Sequence, residues 1–137
     1  MKNSINNAFL LKLIRFFKLG GLLKKAYFIL FSPKEKKIEL EFQGIRSKFH
    51  INDYESLIIV KNFLRKGIRD ESDFLEALFN KLKPGDAVFD IGANMGMYTI
   101  LLAKKVGGQG TVVAFEPEQK NSDILEENIK INHLTNV

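Results

Sequence analysis

The apolar positions change rhythm along the chain, and each change predicts an element. Over residues 8–19, Phe9, Leu10, Leu13, Ile14, Phe16 and Phe17 fall on one side of a helical wheel with Lys12, Arg15 and Lys18 opposite, which predicts an amphipathic basic helix. Gly20-Gly21 interrupts it, and a second apolar run over 26–31 follows Lys24-Lys25 and stops at Ser32-Pro33. Residues 36–42 then alternate charged and apolar side chains with period two, and after Gly44 the segment 45–51 continues with Ile45, Phe49 and Ile51, so an antiparallel hairpin with one wet face is expected. Leu57, Ile58, Val60, Phe63 and Leu64 return to a helical rhythm. A further helix starts at the acids and caps Asp70-Glu71-Ser72-Asp73 and buries Phe74, Leu75, Leu78, Phe79 and Leu82.

Pro84-Gly85 ends that helix, and the rhythm changes once more. Ala87-Val88-Phe89 is a short apolar run of the kind buried in a parallel sheet, residues 98–103 continue as a helix, and Gly107-Gly108-Gln109-Gly110 is a turn. A second strand over 111–115 ends in Glu116-Pro117, and residues 119–131 form a helix with Ile124, Leu125, Asn128 and Ile129 in a row. Strand, helix, strand, helix with right-handed crossovers places the two strands parallel and adjacent. Asp90, Gly92 and Glu116 then share the carboxyl edge, where such sheets bind ligands.

Composition narrows the chemistry. At 137 residues and 45% apolar the chain is one modest domain and not a disordered segment. With no cysteine, disulfides, thiolate nucleophiles and Cys-bound metals are excluded, a composition that suits a reducing compartment. The formal charge of +5 divides unevenly: residues 1–37 hold nine Lys/Arg against the single acid Glu35, a net of +8, which leaves −3 over residues 38–137. Basic character therefore belongs to the arm and not to a nucleic-acid face. Neither apolar run reaches the roughly 20 residues of a membrane span, and the lysines within them and the missing small-residue cleavage site argue against a signal peptide. The arm reads either as a helix packed on protein or as one lying on an anionic membrane through residues 8–31. The acids at 70–73 read as helix N-terminal charge and not as a metal site. His50, in the hairpin, and His133, after the last helix, read as surface or structural residues.

The loop Gly92-Ala93-Asn94-Met95-Gly96 lacks the G-x-G-x-x-G spacing of a pyrophosphate cradle, and Asp90 stands two residues before its first glycine, where a carboxylate would repel phosphate. That disfavours a nicotinamide cofactor. It suits S-adenosylmethionine, which carries an ammonium and a sulfonium and no phosphate. Gly92 and Gly96 let the backbone approach the methionine part, and Glu116 can accept the protons of both ribose hydroxyls.

The run Pro84-Gly85-Asp86-Ala87-Val88-Phe89-Asp90-Ile91-Gly92-Ala93-Asn94-Met95-Gly96-Met97-Tyr98-Thr99, followed by Ala114-Phe115-Glu116-Pro117, resembles the first two motifs of the FkbM-type S-adenosylmethionine-dependent methyltransferases. The likeness covers about residues 82–137, including Asn132-His133-Leu134-Thr135-Asn136-Val137. It implies an α/β class I Rossmann-like doubly wound sheet, here truncated after the second β-α unit and preceded by an N-terminal helical arm (1–33) and a hairpin with helices (34–83), with the partial cofactor domain at 84–137. Asp90, Gly92 and Gly96 would line the methionine end and Glu116 the ribose. Asn94 joins this cofactor-binding set through the family wording, as Tyr98 belongs to that wording, and spacing alone assigns neither a chemistry. The implied reaction is methyl transfer to a hydroxyl of a saccharide or other small molecule, without metal or nucleic acid, in the cytoplasm or at the inner membrane surface. No general base is identifiable. The alternative is a non-catalytic fragment that binds a membrane surface or a protein through its basic helix. A two-stranded parallel core would also leave apolar sheet surface uncovered.

Overall fold

A computed structural model describes residues 20–66 and 72–137. The expected basic helix over 8–19 and the acidic helix start at 70–71 lie outside the described residues. The chain divides into two units, Met1–Ser32 and Pro33–Val137.

In the first unit, helix α1 spans Gly20–Phe31, with Gly20 and Gly21 in its first turn. Tyr27 and Phe31, one turn apart, bring their rings to 4.6 Å between centroids. No helix among the described residues is long and apolar enough to cross a membrane.

The second unit opens with the hairpin. β1 (Lys37–Phe42) and β2 (Ile45–His50) pair antiparallel with Ile38 opposite Phe49, Leu40 opposite Ser47 and Phe42 opposite Ile45. These six side chains share the inner face, and Lys37, Glu39, Glu41, Arg46 and Lys48 alternate onto the wet one, as the period-two pattern requires. Gln43 and Gly44 both have positive φ, 47° and 79°, the backbone of a two-residue primed turn whose twist matches that of the strands.

Helix α2 (Tyr54–Lys66) starts from a reciprocal cap. The Ser56 N–H donates to Asp53 Oδ1 at 2.8 Å, and the Asp53 N–H donates to Ser56 Oγ at 3.0 Å. Lys120 forms an ion pair with Asp53 from the far end of the chain. Helix α3 (Ser72–Lys81) buries Leu75 and Phe79. Phe42 stands edge-on to Phe79 at 5.1 Å and to Phe63 at 6.2 Å, so one hairpin side chain joins α2 and α3.

The core that carries the site follows. β3 (Ala87–Ile91) and β4 (Thr111–Phe115) pair in parallel, with Asp90 opposite Ala114 and Ile91 opposite Phe115. Helix α4 (Met97–Val106) connects them and packs on both strands and on β2. Held between sheet and hairpin, it is apolar nearly all round, with Ile100, Leu101, Ala103 and Val106 almost free of solvent. Helix α5 (Gln119–Ile131) packs on β2 beside it. The opposite sheet face is open among the described residues: Phe89 is 68% exposed, Ile91 82% and Phe115 49%, with the Phe89 and Phe115 rings stacked at 6.2 Å. The uncovered apolar surface expected for two parallel strands is therefore present.

Two close approaches fix how α4 returns to β4. Gly110 sits so near the end of α4 that a Cβ there would lie 2.6 Å from the Val106 side chain and 2.7 Å from the Asp86 carbonyl oxygen. Asn136 donates from Nδ2 to the carbonyls of Ala103 and Gly107, both at 2.9 Å, and its own carbonyl accepts the Val112 N–H at 2.8 Å on the outer side of β4. Gly110→Ala should destabilise the second unit by about 1–3 kcal/mol, because both neighbours are backbone or β-branched and cannot swing aside. Urea denaturation followed by circular dichroism measures it, and an unchanged midpoint would show that the α4–β4 turn relaxes freely.

Candidate functional site

The site is built where β3 stops. Ile91 is the last paired residue, and the chain must then turn into α4 within the five residues 92–96. Gly92, Asn94 and Gly96 make the turn with φ of 81°, 51° and 86°. Glycine takes such angles without cost, and asparagine tolerates them better than other side chains. The Asn94 Oδ1 accepts the next N–H, that of Met95, at 2.7 Å. Asn94, to which spacing assigned no chemistry, thus shapes the loop.

Neighbouring elements hold this loop through its backbone. The N–H groups of Gly92 and Ala93 both donate to the Phe115 carbonyl, at 2.9 and 3.0 Å, and Gly96 N–H closes a turn onto Ala93 O at 2.8 Å. The Asn94 N–H donates to Glu116 Oε2 at 2.7 Å. On the far side, Asn128 Nδ2 donates to the Met95 carbonyl at 2.7 Å.

Glu116 begins the turn after β4, and its carboxylate is well supplied with donors. Oε1 accepts the Glu118 N–H at 3.0 Å and, at the 3.5 Å limit, Asn121 Nδ2. The N–H groups of Glu118 and Asn94, with a smaller contribution from Asn121, hold the carboxyl below its ordinary value, against a weaker upward push from burial. Asp90, the last but one residue of β3, accepts the Thr99 hydroxyl on Oδ2 at 2.5 Å, which ties the strand to the first turns of α4.

Asp90, Gly92, Asn94 and Glu116 therefore gather at the carboxyl edge of the two strands. Gly92 has open space where a Cβ would stand, whereas a Cβ on Gly96 would meet Leu125 Cδ1, the tip of a side chain that would have to move, so the firm requirement for glycine at Gly96 is its φ. The two histidines lie elsewhere, His50 at the end of β2 and His133 in the turn after α5 with φ of 55°. Among the described residues no group of three His, Asp or Glu side chains is placed to hold a metal ion.

Sequence reasoning places Asn128 in the row of Ile124, Leu125 and Ile129 without a partner for it, and gives Asn132 and Asn136 no role. Asn128 is fully buried, joining the loop to the hairpin by donating to Met95 O and accepting the His50 N–H at 2.7 Å. Asn132 pairs with both backbone groups of Lys48, accepting its N–H at 3.0 Å and donating to its carbonyl at 2.7 Å. Asn136 caps α4 as described above. For Asn128 and Asn132 the four-residue spacing along the helix was the available signal, whereas Asn136 lies past the left-handed His133, where helical spacing carries no information.

The donor set fits S-adenosylmethionine. Two carboxylates stand at the edge, suited to an ammonium and to hydroxyl donors, and the loop leaves a glycine with empty space beside it. Of the two, the Asp90 carboxylate would oppose the phosphates of a dinucleotide, whereas an acid after the second strand also serves a dinucleotide's ribose.

Comparison with known proteins agrees. Residues 64–137 match the family model of Protein-L-isoaspartate(D-aspartate) O-methyltransferase (PCMT). A curated relative, the hexuronic acid methyltransferase AglP of Haloferax volcanii, is 26% identical over 88 residues, which is 64% of this chain and 33% of the relative. The chain thus spans about a third of that relative's length. Among solved structures, a SAM-dependent methyltransferase from Aquifex aeolicus is 32% identical with a TM-score of 0.43, over 50% of this chain and 35% of the other. A protein-L-isoaspartate O-methyltransferase is 19% identical with a TM-score of 0.42, over 95% and 40%. With more than half of its length matched by the family model, the chain belongs to the PCMT family of methyltransferases, Rossmann-like α/β proteins whose cofactor is S-adenosylmethionine.

Proposed function

We propose that residues 84–137 bind the methionine and ribose parts of S-adenosylmethionine, and that the protein transfers its methyl group to a saccharide hydroxyl. The observation that carries the cofactor part is the joint placement of Glu116 and the Gly92–Gly96 loop, with the carboxylate bonded to the loop's own backbone. Glu116 offers about four lone-pair sites, two on each oxygen. Oε2 uses one for Asn94, and Oε1 uses one for Glu118 and a weak second for Asn121. Each oxygen can take one ribose hydroxyl once Asn121 yields, and Asn121 Nδ2 already has a stronger partner in Glu118 Oε2 at 2.7 Å. Asp90 faces the ammonium in this reading, and Asn94 keeps the loop open beside Gly92. The D-I-G-A-N-x-G-x-Y-T wording shared with FkbM-type enzymes and the hexuronic acid methyltransferase among the relatives support a saccharide acceptor. The transfer itself needs the acceptor oxygen held in line with the methyl carbon and the departing sulfur.

A second reading concerns the arm. On α1, Leu22 and Ile29 fall on one exposed face with Lys25 beside them, and the helix carries no acid. Together with the +8 of residues 1–37, this favours contact with an anionic lipid surface.

Two outcomes test these readings. In calorimetry with S-adenosylhomocysteine, Glu116→Gln should weaken binding roughly ten- to a hundredfold, the scale of losing hydrogen bonds to a charged acceptor. Because the Glu116 carboxyl is held below its ordinary value, the wild-type affinity should be fully present above the usual glutamate range and be lost only as pH falls through the depressed value. Unchanged affinity in Glu116→Gln would reject the ribose role. In vesicle co-sedimentation, the full chain should pellet with phosphatidylserine-containing vesicles and not with phosphatidylcholine alone, and Leu22→Glu with Ile29→Glu should reduce it. Pelleting indifferent to anionic lipid would remove the membrane reading.

A further inference from the structure

We infer that Asn128 is a positioning residue for the cofactor loop, and that through it the N-terminal hairpin helps set the loop's shape. The inference rests on the cofactor reading above. Asn128 is buried in α5 beside Ile124 and Leu125, where an amide is costly unless both of its ends are bonded. Both are. Nδ2 donates to the Met95 carbonyl and Oδ1 accepts the His50 N–H, each at 2.7 Å.

The loop partner matters. Glu116 holds the N–H of Asn94 and Asn128 holds the carbonyl of the next residue, so Asn94 and Met95 are gripped from the turn after β4 on one side and from α5 on the other. Both lie between the positive-φ positions Gly92 and Gly96, with Asn94 itself left-handed, a backbone that persists only where its surroundings over-determine it. Attachment of the hairpin does not by itself call for Asn128. Asn132 already bonds both backbone groups of Lys48, and Lys104 Nζ donates to the Arg46 carbonyl at 2.5 Å and to Asn132 Oδ1 at 2.7 Å. What Asn128 adds is the connection to Met95.

Coupling of this kind is reciprocal. If the hairpin steadies the loop through Asn128, a ligand that binds the steadied loop must steady the hairpin at the same point. Amide exchange of the wild-type chain, followed by nuclear magnetic resonance with and without S-adenosylhomocysteine, should show added protection at His50 N–H beyond any change at Lys48 N–H, which Asn132 holds instead. Asn128→Asp keeps the size and the acceptor for His50 but sets a carboxylate against the Met95 carbonyl. It should retain the folded circular dichroism spectrum, lose the ligand-dependent protection at His50, and bind the ligand roughly tenfold or more weakly. A wild type that binds the ligand with equal changes at His50 and Lys48, or an Asn128→Asp chain that binds as wild type does, overturns this inference alone. A folded wild type that binds no ligand overturns the cofactor reading and this inference with it. Should Asn128→Asp fail to fold, the wild-type exchange comparison decides.

Discussion

The carbonyl of Phe115 accepts the N–H groups of Gly92 and Ala93, and through that shared acceptor the end of β4 decides where the chain leaves β3. Everything at the site depends on this hook. It follows from parallel pairing with Ile91 opposite Phe115, which ends both strands at one level and brings Glu116 beside the loop. A shift of register by two residues would carry Glu116 roughly 7 Å along the strand and leave the Asn94 N–H without its carboxylate. Sheet register and loop shape are therefore one structural fact, and through the Asn94 N–H they add to the local Glu118 N–H in holding the Glu116 carboxyl below its ordinary value.

The hairpin and the helices make that register durable. α4 is buried between the sheet and β2, and its ends are fixed by Thr99 on Asp90 at one end and by Asn136 at the other. α5 lies against β2 and supplies side-chain amides where the strand's outer edge would otherwise go unpaired. The hairpin is thus more than an appendage to the cofactor core. Its backbone is bonded into the helices that define the loop, and Phe42 extends the contact to α2 and α3.

Much of this was legible in the residues. Alternation over 36–42 places the wet face of the hairpin correctly, and the order of two strands and two helices gives parallel neighbours with Asp90, Gly92 and Glu116 at one edge. Asp90 and the glycine spacing separate a phosphate-free cofactor from a dinucleotide because charge can be read from sequence. Buried polar side chains cannot be read so directly. An asparagine on a helix looks the same whether it meets water or a strand edge, so the pattern puts Asn128 in the buried row without a partner, gives Asn132 one turn further no role, and carries no periodic signal at all for Asn136, past the end of the helix. Gly96 illustrates a second limit. A glycine required by its own backbone angle, as Gly96 is, and a glycine required by a ligand carry the same letter, and only the structure tells them apart.

The central claim is that the loop and Glu116 together recognise a phosphate-free, positively charged nucleoside. A titration of the isotope-labelled full chain, followed by amide resonances, tests it most directly. S-adenosylmethionine should shift the amides of Gly92, Asn94 and Glu118 in a saturable way, and a nicotinamide dinucleotide at the same concentration should leave them in place. A folded chain in which those three amides ignore S-adenosylmethionine, or answer equally to the dinucleotide, would contradict the account.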